Sequence, residues 1–218
     1  MMNRTIHISF VVVAMLLPRI ALANITTSVE ADVWFGDTKV DDRRRDNATG
    51  GNFSFALEHS HPFLPNASFR YTNIDADYVG LDKYDFSFYY RVLEREHMLF
   101  DAGISLTQYS NTHYRTSSLP QSEYNFDEFT FNWYAYAELS VPNTDIDIIG
   151  QFDFGDRNGM KRADVLAGIK YQANEDIAIR AGYRVIDLEI DNLATSEPEI
   201  SESLIFINGF FVGAEYRF

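Results

Sequence analysis

The sequence predicts an all-β protein, a transmembrane antiparallel up-and-down β-barrel of ten strands. Ten segments, each of about eight to twelve residues, alternate apolar and polar side chains with a period of two, and this length lets a tilted strand cross the hydrocarbon layer. Mean hydropathy is −0.22, and 15% of the residues are aromatic. Such values are typical of a wall in which half of the residues face lipid and half face a polar interior.

The alternating segments are spread over the whole chain. They are Thr26–Gly36, Asn52–His59, Ala67–Asn73, Lys83–Leu93, Met98–Tyr109, Phe129–Val141, Ile146–Phe154, Asp164–Tyr171, Ile177–Val185 and Leu204–Phe218. The segment Phe129–Val141 alternates most clearly, with aromatic and aliphatic residues at the odd positions. The segment Ala67–Asn73 is short. If this segment did not cross the membrane, one neighbouring segment could not cross either, because the number of strands must be even. A barrel of eight strands is therefore the alternative.

The connections between the segments alternate in length. Short turns rich in Pro, Asn, Asp and Glu are expected at Ser60–Asn66, Glu94–His97, Pro142–Asp145 and Gln172–Asp176. Longer loops are expected at Asp37–Gly51, Ile74–Asp82, Ser110–Glu128, Gly155–Ala163 and Ile186–Ser203. Short periplasmic turns that alternate with longer external loops are typical of membrane barrels, so both ends of the barrel domain are expected on the periplasmic side.

The first 23 residues have the features of a secretory signal peptide. Arg4 lies in a short basic start, an apolar run follows from Ile8 to Leu17, and Ala21-Leu22-Ala23 forms a small-residue cleavage site. The apolar run is too short to span a membrane. We therefore expect a signal peptide at 1–23 and an outer-membrane barrel at 24–218. The chain has no Cys, so disulfides are excluded.

The last strand carries apolar side chains at alternate positions up to a terminal aromatic residue. These residues are Phe210, Val212, Ala214, Tyr216 and Phe218. The pattern resembles the assembly signal of small Gram-negative outer-membrane β-barrel proteins. This resemblance implies a location in the cell outer membrane after secretion to the periplasm. It also implies contacts with outer-membrane lipid and lipopolysaccharide, and with the barrel assembly machinery during biogenesis.

Two further motifs are similar to an outer-membrane protein family named for a Gly-Gly pair. Gly50-Gly51 follows the first long loop, and the turn His61-Pro62-Phe63-Leu64-Pro65-Asn66 is followed by Arg70-Tyr71-Thr72. The resemblance covers the barrel domain. It implies no activity that can be assigned to particular residues.

Charge excludes one class of partner. The chain has 18 Lys and Arg and 32 Asp and Glu, and residues 1–23 contain two Arg and no acid, which leaves 16 − 32 = −16 for the barrel domain. A strongly acidic protein is not expected to bind nucleic acid. The run Arg43–Arg45 lies in the acidic first loop, where it either contacts lipopolysaccharide phosphates or is neutralised by its neighbours.

Parity along the strands places many charges inside the barrel. The inward acids are Glu30, Asp32, Glu58, Asp85, Asp101, Glu138, Asp147, Asp153, Asp164 and Glu215, and the inward bases are Arg70, Arg91, Lys170, Arg180, Arg184 and Arg217. Charges in a lumen of this size need partners, because an isolated buried charge costs several kcal/mol. A salt-bridged polar interior is expected. The alternative is a narrow diffusion channel that prefers cations, because acids outnumber bases.

Catalytic residues are not evident, and we expect a monomeric, non-enzymatic protein with a structural or surface-interaction role. His59, His61 and His97 lie in or beside the short turns. On a long external loop, His113 accompanies Ser110, Ser117 and Ser118, so a hydrolase at the external rim is the second alternative. The pair His59-x-His61 provides only two possible metal ligands. Neither a metal nor a cofactor is implied.

Overall fold

The computed structural model describes residues 25–116, 121–195 and 201–218, and the expected signal peptide lies outside them. The strands are β1 (Ile25–Val40), β2 (Arg43–His59), β3 (Asn66–Asp75), β4 (Val79–Arg95), β5 (Met98–Arg115), β6 (Glu123–Tyr124), β7 (Phe129–Ser140), β8 (Ile146–Arg157), β9 (Met160–Gln172), β10 (Ile177–Asp191) and β11 (Glu202–Arg217). Among these residues, no helix is long and apolar enough to cross a membrane.

Ten of these strands form a closed antiparallel barrel, which confirms the expected fold class. Each strand of the wall pairs with the next one along the chain, and β1 also pairs with β11. The short β6 adds two residues beside β5. The doubtful third segment is a complete strand, β3, with partners on both sides. The eight-strand alternative is therefore wrong.

The closing seam runs along the full length of the first and last strands. Its register extends from Ser28 opposite Arg217 to Val40 opposite Ile205. Beyond the last strand residue, the Phe218 amide donates to the Thr27 carbonyl at 2.9 Å, and the Thr27 amide donates to the Phe218 carbonyl at 3.0 Å. The backbone of Phe218 thus completes the seam.

The two ends of the barrel differ. We call the end that holds Ile25 and Arg217 the termini end, and the opposite end the distal end. Short connections at 60–65, 96–97, 141–145 and 173–176 lie at the termini end, as expected.

The prediction of long loops at the distal end, however, is mostly wrong, because the strands continue through most of the predicted loop residues. The β1–β2 turn is only Asp41-Asp42, and the β8–β9 turn is Asn158-Gly159. All four of these residues have the positive φ that tight hairpin turns require.

The outer face of the barrel is apolar near the termini end and polar near the distal end. Val33 and Phe35 on β1 are 45% and 54% exposed, but the next outward residues are Asp37 and Lys39. The same change from apolar to polar occurs at Asp82, Gln108, Asp156, Lys161 and Asp187 on other strands, whereas the outward residues of β11 beyond Asn208 are Phe206 and Leu204. The strands are therefore longer than the hydrocarbon layer requires, and their distal parts form an extension that lies in water.

Candidate functional site

The lumen has three levels along the barrel axis, and each level contains a different kind of side chain. The level at the distal end is mainly apolar. Twelve large side chains of the described residues are less than 2% exposed. These are Trp34, Tyr109, Tyr114, Lys83, Lys170, Ile74, Leu81, Ile149, Ile186, Leu188, Ile205 and Ile207. Most of them belong to one buried apolar cluster, and many come from the distal halves of the strands. We call the members of this cluster on the distal halves of the strands and in the distal connections the distal core, whereas Ile149 and Leu166 of the same cluster lie nearer the termini end. The distal extension is apolar inside and mostly polar outside, like a water-soluble barrel.

Residues 121–128, between β5 and β7, also contribute to the distal core. In this segment β6 pairs with β5, and Phe126 is 6% exposed with its ring centroid 6.4 Å from that of Tyr109. From another connection, Ala194 is 2% exposed and joins the distal core. Residues outside the regular wall therefore help to bury the distal core.

Below the distal core, paired charges cross the middle of the lumen, and we call them the ion-pair belt. The belt consists of Arg70, Lys83, Arg184, Asp85, Asp153 and Asp164. Arg70 lies 2.8 Å from Asp85, 2.7 Å from Asp153 and 3.4 Å from Asp164. With three acids and three bases, the belt has no net formal charge. Such mutual pairing offsets the cost of removing each charge from water.

Hydroxyl groups complete the belt. The hydroxyl of Thr107 donates to Asp85 at 2.7 Å, and that of Ser105 donates to Asp153 at 3.0 Å. Arg184 joins the belt to the distal core, because its guanidinium lies 5.1 Å from the ring centroid of Trp34. This contact combines a cation–π interaction with the ion pair to Asp164.

A polar chamber of about 310 Å³ occupies the lumen at the termini end. Its lining includes Glu30, Glu58, Asp101, Glu138, Glu215, Arg91, Arg180 and Arg217. Arg91 lies 3.0 Å from Glu58 and 3.2 Å from Asp101, and Arg217 lies 2.7 Å from Glu215. Arg180 pairs with Glu30, and buried Lys170 pairs with Glu138. Solvent reaches the chamber mouth, where the Arg217 side chain is 46% exposed.

All sixteen charged residues expected inside lie on inward positions, but at two levels. Asp85, Asp153, Asp164, Arg70 and Arg184 belong to the ion-pair belt. Of the other eleven, eight line the chamber, and Asp32, Asp147 and Lys170 are buried at inward positions of the wall. Seven of those eleven are acids and four are bases, so the excess of negative charge lies at the termini end. Asp147 makes its side-chain hydrogen bond with Gln172, at 2.9 Å.

The interior holds two buried bases besides those expected from parity. Lys83 begins the fourth alternating segment, and its ammonium lies 2.8 Å from Asp85 and 2.7 Å from Asp164. Arg162 lies on β9, in a stretch that the sequence predicts to be a loop. It is 3% exposed and donates to the Asn132 side-chain oxygen and to the carbonyls of Met160 and Phe131, each at 2.7 Å. With these two bases, the inward positions identified among the described residues hold ten acids and eight bases, which weakens the case for cation preference.

The two glycines of the Gly50-Gly51 pair have different surroundings. A Cβ atom at Gly50 would lie 2.5 Å from the Asn73 carbonyl oxygen and 2.6 Å from the Ile74 side chain. At Gly51 a Cβ atom would have no neighbour within 4 Å. Close packing in the wall therefore requires glycine at Gly50 and does not require it at Gly51.

His59, His61 and His113 make their hydrogen bonds with backbone groups, whereas the His97 ring lies 3.8 Å from the Glu96 carboxylate. The His113 ring lies over Gly80, and its Nε2 is 2.8 Å from the Ala76 carbonyl oxygen. Ser117 and Ser118, which the sequence placed near it, are outside the described residues. The Nδ1 atoms of His59 and His61 accept hydrogen bonds from backbone amides of their own turn. Within the described part of the chain, no group of three or more His, Asp or Glu could hold a metal.

The run Arg43–Arg45 is part of β2 and does not form a free loop, contrary to expectation. Arg44 lies 2.9 Å from Asp37, and the Arg45 guanidinium is 4.2 Å from the ring centroid of Tyr78. The ion pair with Asp37 supports local neutralisation of Arg44 by a neighbour on the distal extension.

No protein-family model matches the chain, and no curated protein matches it. Several solved structures resemble it at low identity. Neisserial surface protein A is 14% identical, with 88% of this chain and 97% of that chain covered and a TM-score of 0.44. The outer membrane protease OmpT from Escherichia coli is 9% identical, with 90% and 97% covered and a TM-score of 0.45. Ail, the attachment invasion locus protein of Yersinia pestis, is 12% identical, with 89% and 99% covered and a TM-score of 0.36.

The cellular location follows from the barrel's own features. Its backbone closes without a free edge, its outer band is apolar and its interior is charged. Closed barrels of this kind are the only sheet structures that span membranes, and Gram-negative bacteria carry them in the outer membrane. The chain is an outer-membrane β-barrel protein. The resemblance to the family named for a Gly-Gly pair stays a prediction.

Proposed function

We propose that the protein is a sealed barrel with a structural or surface-interaction role, and that its distal extension projects from the outer membrane into the external medium. The observation that carries this proposal is the distal core. Ile186, Ile205 and Ile207 are each 0% exposed at the level where a diffusion channel would need an open path. Ions would have to displace these side chains and enter an apolar region, which is costly.

The ion-pair belt supports the same role. Charges that line a conducting pore are solvated, whereas Lys83 and Asp85 each have side chains only 1% exposed and pair with each other. The belt therefore braces the wall and leaves its charges unavailable to passing ions. The outer surface of the extension carries exposed ion pairs such as Lys161 with Glu189 at 2.8 Å, which suit contact with water, lipopolysaccharide or a macromolecule. The monomeric state and the lack of a nucleic-acid partner remain predictions.

Single-channel recording in planar bilayers tests the sealed lumen. We expect the purified protein to give no discrete conductance steps under conditions in which a general porin, added as the positive control, gives them. Reproducible steps from this protein would refute the proposal and favour the narrow channel.

Cysteine labelling tests the orientation, because the natural chain has no Cys. Lys39→Cys places a thiol on the distal extension, and Glu175→Cys places one in a turn at the termini end. A membrane-impermeant maleimide should label Lys39→Cys on intact cells and label Glu175→Cys only after the outer membrane is permeabilised. The reverse pattern would show that the distal extension faces the periplasm.

A further inference from the structure

One turn at the termini end carries an exposed apolar tip. In the β2–β3 turn, Phe63 is 82% exposed and Leu64 is 56% exposed. Phe63 has the highest exposure of the large hydrophobic side chains in the described residues. The other turns at this end consist mainly of Asn, Asp, Glu, Thr and Pro. The tip is therefore a local departure from the usual polar turn, and wall packing does not account for it.

Hydrogen bonds hold the turn in one conformation. The His61 amide donates to His59 Nδ1 at 3.1 Å, and the Phe63 amide donates to His61 Nδ1 at 3.3 Å. The His59 amide donates to the Asn66 side-chain oxygen at 2.9 Å. Two prolines in the same turn, Pro62 and Pro65, restrict φ further. The apolar tip is thus presented by a preorganised turn.

A contact with the lipid-facing wall shows which way the turn leans. Tyr90 points outward from β4 and is 46% exposed, and its hydroxyl donates to the Phe63 carbonyl at 3.3 Å. The next outward residue of β4, Val92, is 63% exposed. The tip therefore continues the apolar outer band of the barrel and does not point toward the chamber.

We propose that Phe63 and Leu64 insert into the membrane leaflet at the termini end and anchor the barrel at the boundary between headgroups and acyl chains. The occupant of this surface is phospholipid, because the tip is continuous with a surface that lipid already covers. Residues 61–65 contain no Asp, Glu, Lys or Arg, so insertion would not desolvate a permanent charge. Aromatic side chains such as Tyr90 are typical of this boundary in membrane barrels. Only the assignment to the periplasmic leaflet rests on the proposed orientation.

Tryptophan quenching in vesicles tests the insertion. Trp133 faces outward at 62% exposure and is removed by Trp133→Phe, whereas Trp34, at 1% exposure in the distal core, is retained as a constant background. Into this chain we would introduce Phe63→Trp or, as the matched control, Glu175→Trp in another turn at the same end. The vesicles consist of phosphatidylcholine brominated near the glycerol end of the acyl chains in both leaflets, so the orientation of the protein does not matter.

We expect brominated lipid to quench the Phe63→Trp indole strongly and the Glu175→Trp indole weakly. Acrylamide in the aqueous phase should give the opposite order. The heat-dependent shift in electrophoretic mobility shows whether each variant is folded, and Leu64→Trp replaces Phe63→Trp if the latter does not fold. Equal acrylamide quenching at both turns would overturn the proposal. A tip that served a periplasmic protein would also remain accessible to acrylamide in these protein-free vesicles, which would overturn the lipid assignment.

Discussion

Replacing Arg70 by Met would test whether the ion-pair belt stabilises the barrel. Arg70 is 8% exposed and pairs with three carboxylates, those of Asp85, Asp153 and Asp164. Lys83 still neutralises part of this charge in the variant, but three acids then face two bases. Removing one member of a buried ion pair leaves an uncompensated charge and costs about 3–5 kcal/mol. We expect a loss of this size in the free energy of unfolding, measured by urea titration of the barrel folded into lipid vesicles.

A second substitution should restore part of the stability lost in Arg70→Met, and a substitution at an exposed ion pair serves as the control. In the belt, Asp153 forms its ion pair with Arg70, so Arg70→Met combined with Asp153→Asn restores charge balance and should recover part of the lost stability. Arg44→Met removes an exposed pair whose side chains are 67% and 40% exposed, and it should cost about 0–1 kcal/mol. If Arg70→Met were no more damaging than Arg44→Met, the belt would not be a stabilising element. A double variant as unstable as Arg70→Met would argue against charge imbalance as the cause.

Further substitutions test the wall and the outer face, and a deletion tests the seam. Gly50→Ala should destabilise the barrel by about 1–3 kcal/mol through overpacking, whereas Gly51→Ala should be nearly neutral in the same urea titration. Ala135→Arg places a charge on the lipid face and should cost about 2–4 kcal/mol if Ala135 lies near the membrane midplane, and a small effect would refute that face assignment. Deleting Phe218 removes the last backbone pair of the seam and should lower the amount of protein assembled in the outer membrane, measured by fractionation. Normal surface levels would contradict the assembly role.

The sequence predicted the membrane-spanning part of the fold well, because period-two alternation determines both the strands and their faces. Each of the ten segments matches a strand of the wall, with only Val141 and Phe218 lying one residue beyond a strand end. The inward parity of Asp85 and Arg70 holds at neighbouring positions of β3 and β4. The pairing between these strands adds information that alternation lacks. It shows that the short segment Ala67–Asn73 has partners on both sides and is a complete strand.

The identity of charge partners could not be predicted from the sequence. Arg70 and Asp153 are 83 positions apart, and Lys83 and Asp164 are 81 positions apart. Closure of the barrel brings them together across the lumen, and parity alone does not specify the level of a residue along the axis. The division of the interior into belt and chamber was therefore missing from the sequence interpretation.

The distal extension, by contrast, has its own sequence signal in stretches that the sequence predicts to be loops. On β10, Ile186, Leu188 and Ile190 alternate with Asp187 and Glu189 at the same parity as the strand below them, but with the polarity of the two faces reversed. A true loop would interrupt the alternation with turn residues. A reversal of polarity without a change of parity indicates instead that the surroundings change while the strand continues. The side chains that faced lipid now face water, so the apolar side chains must pack inside, and the lumen closes at the level where the wall leaves the membrane.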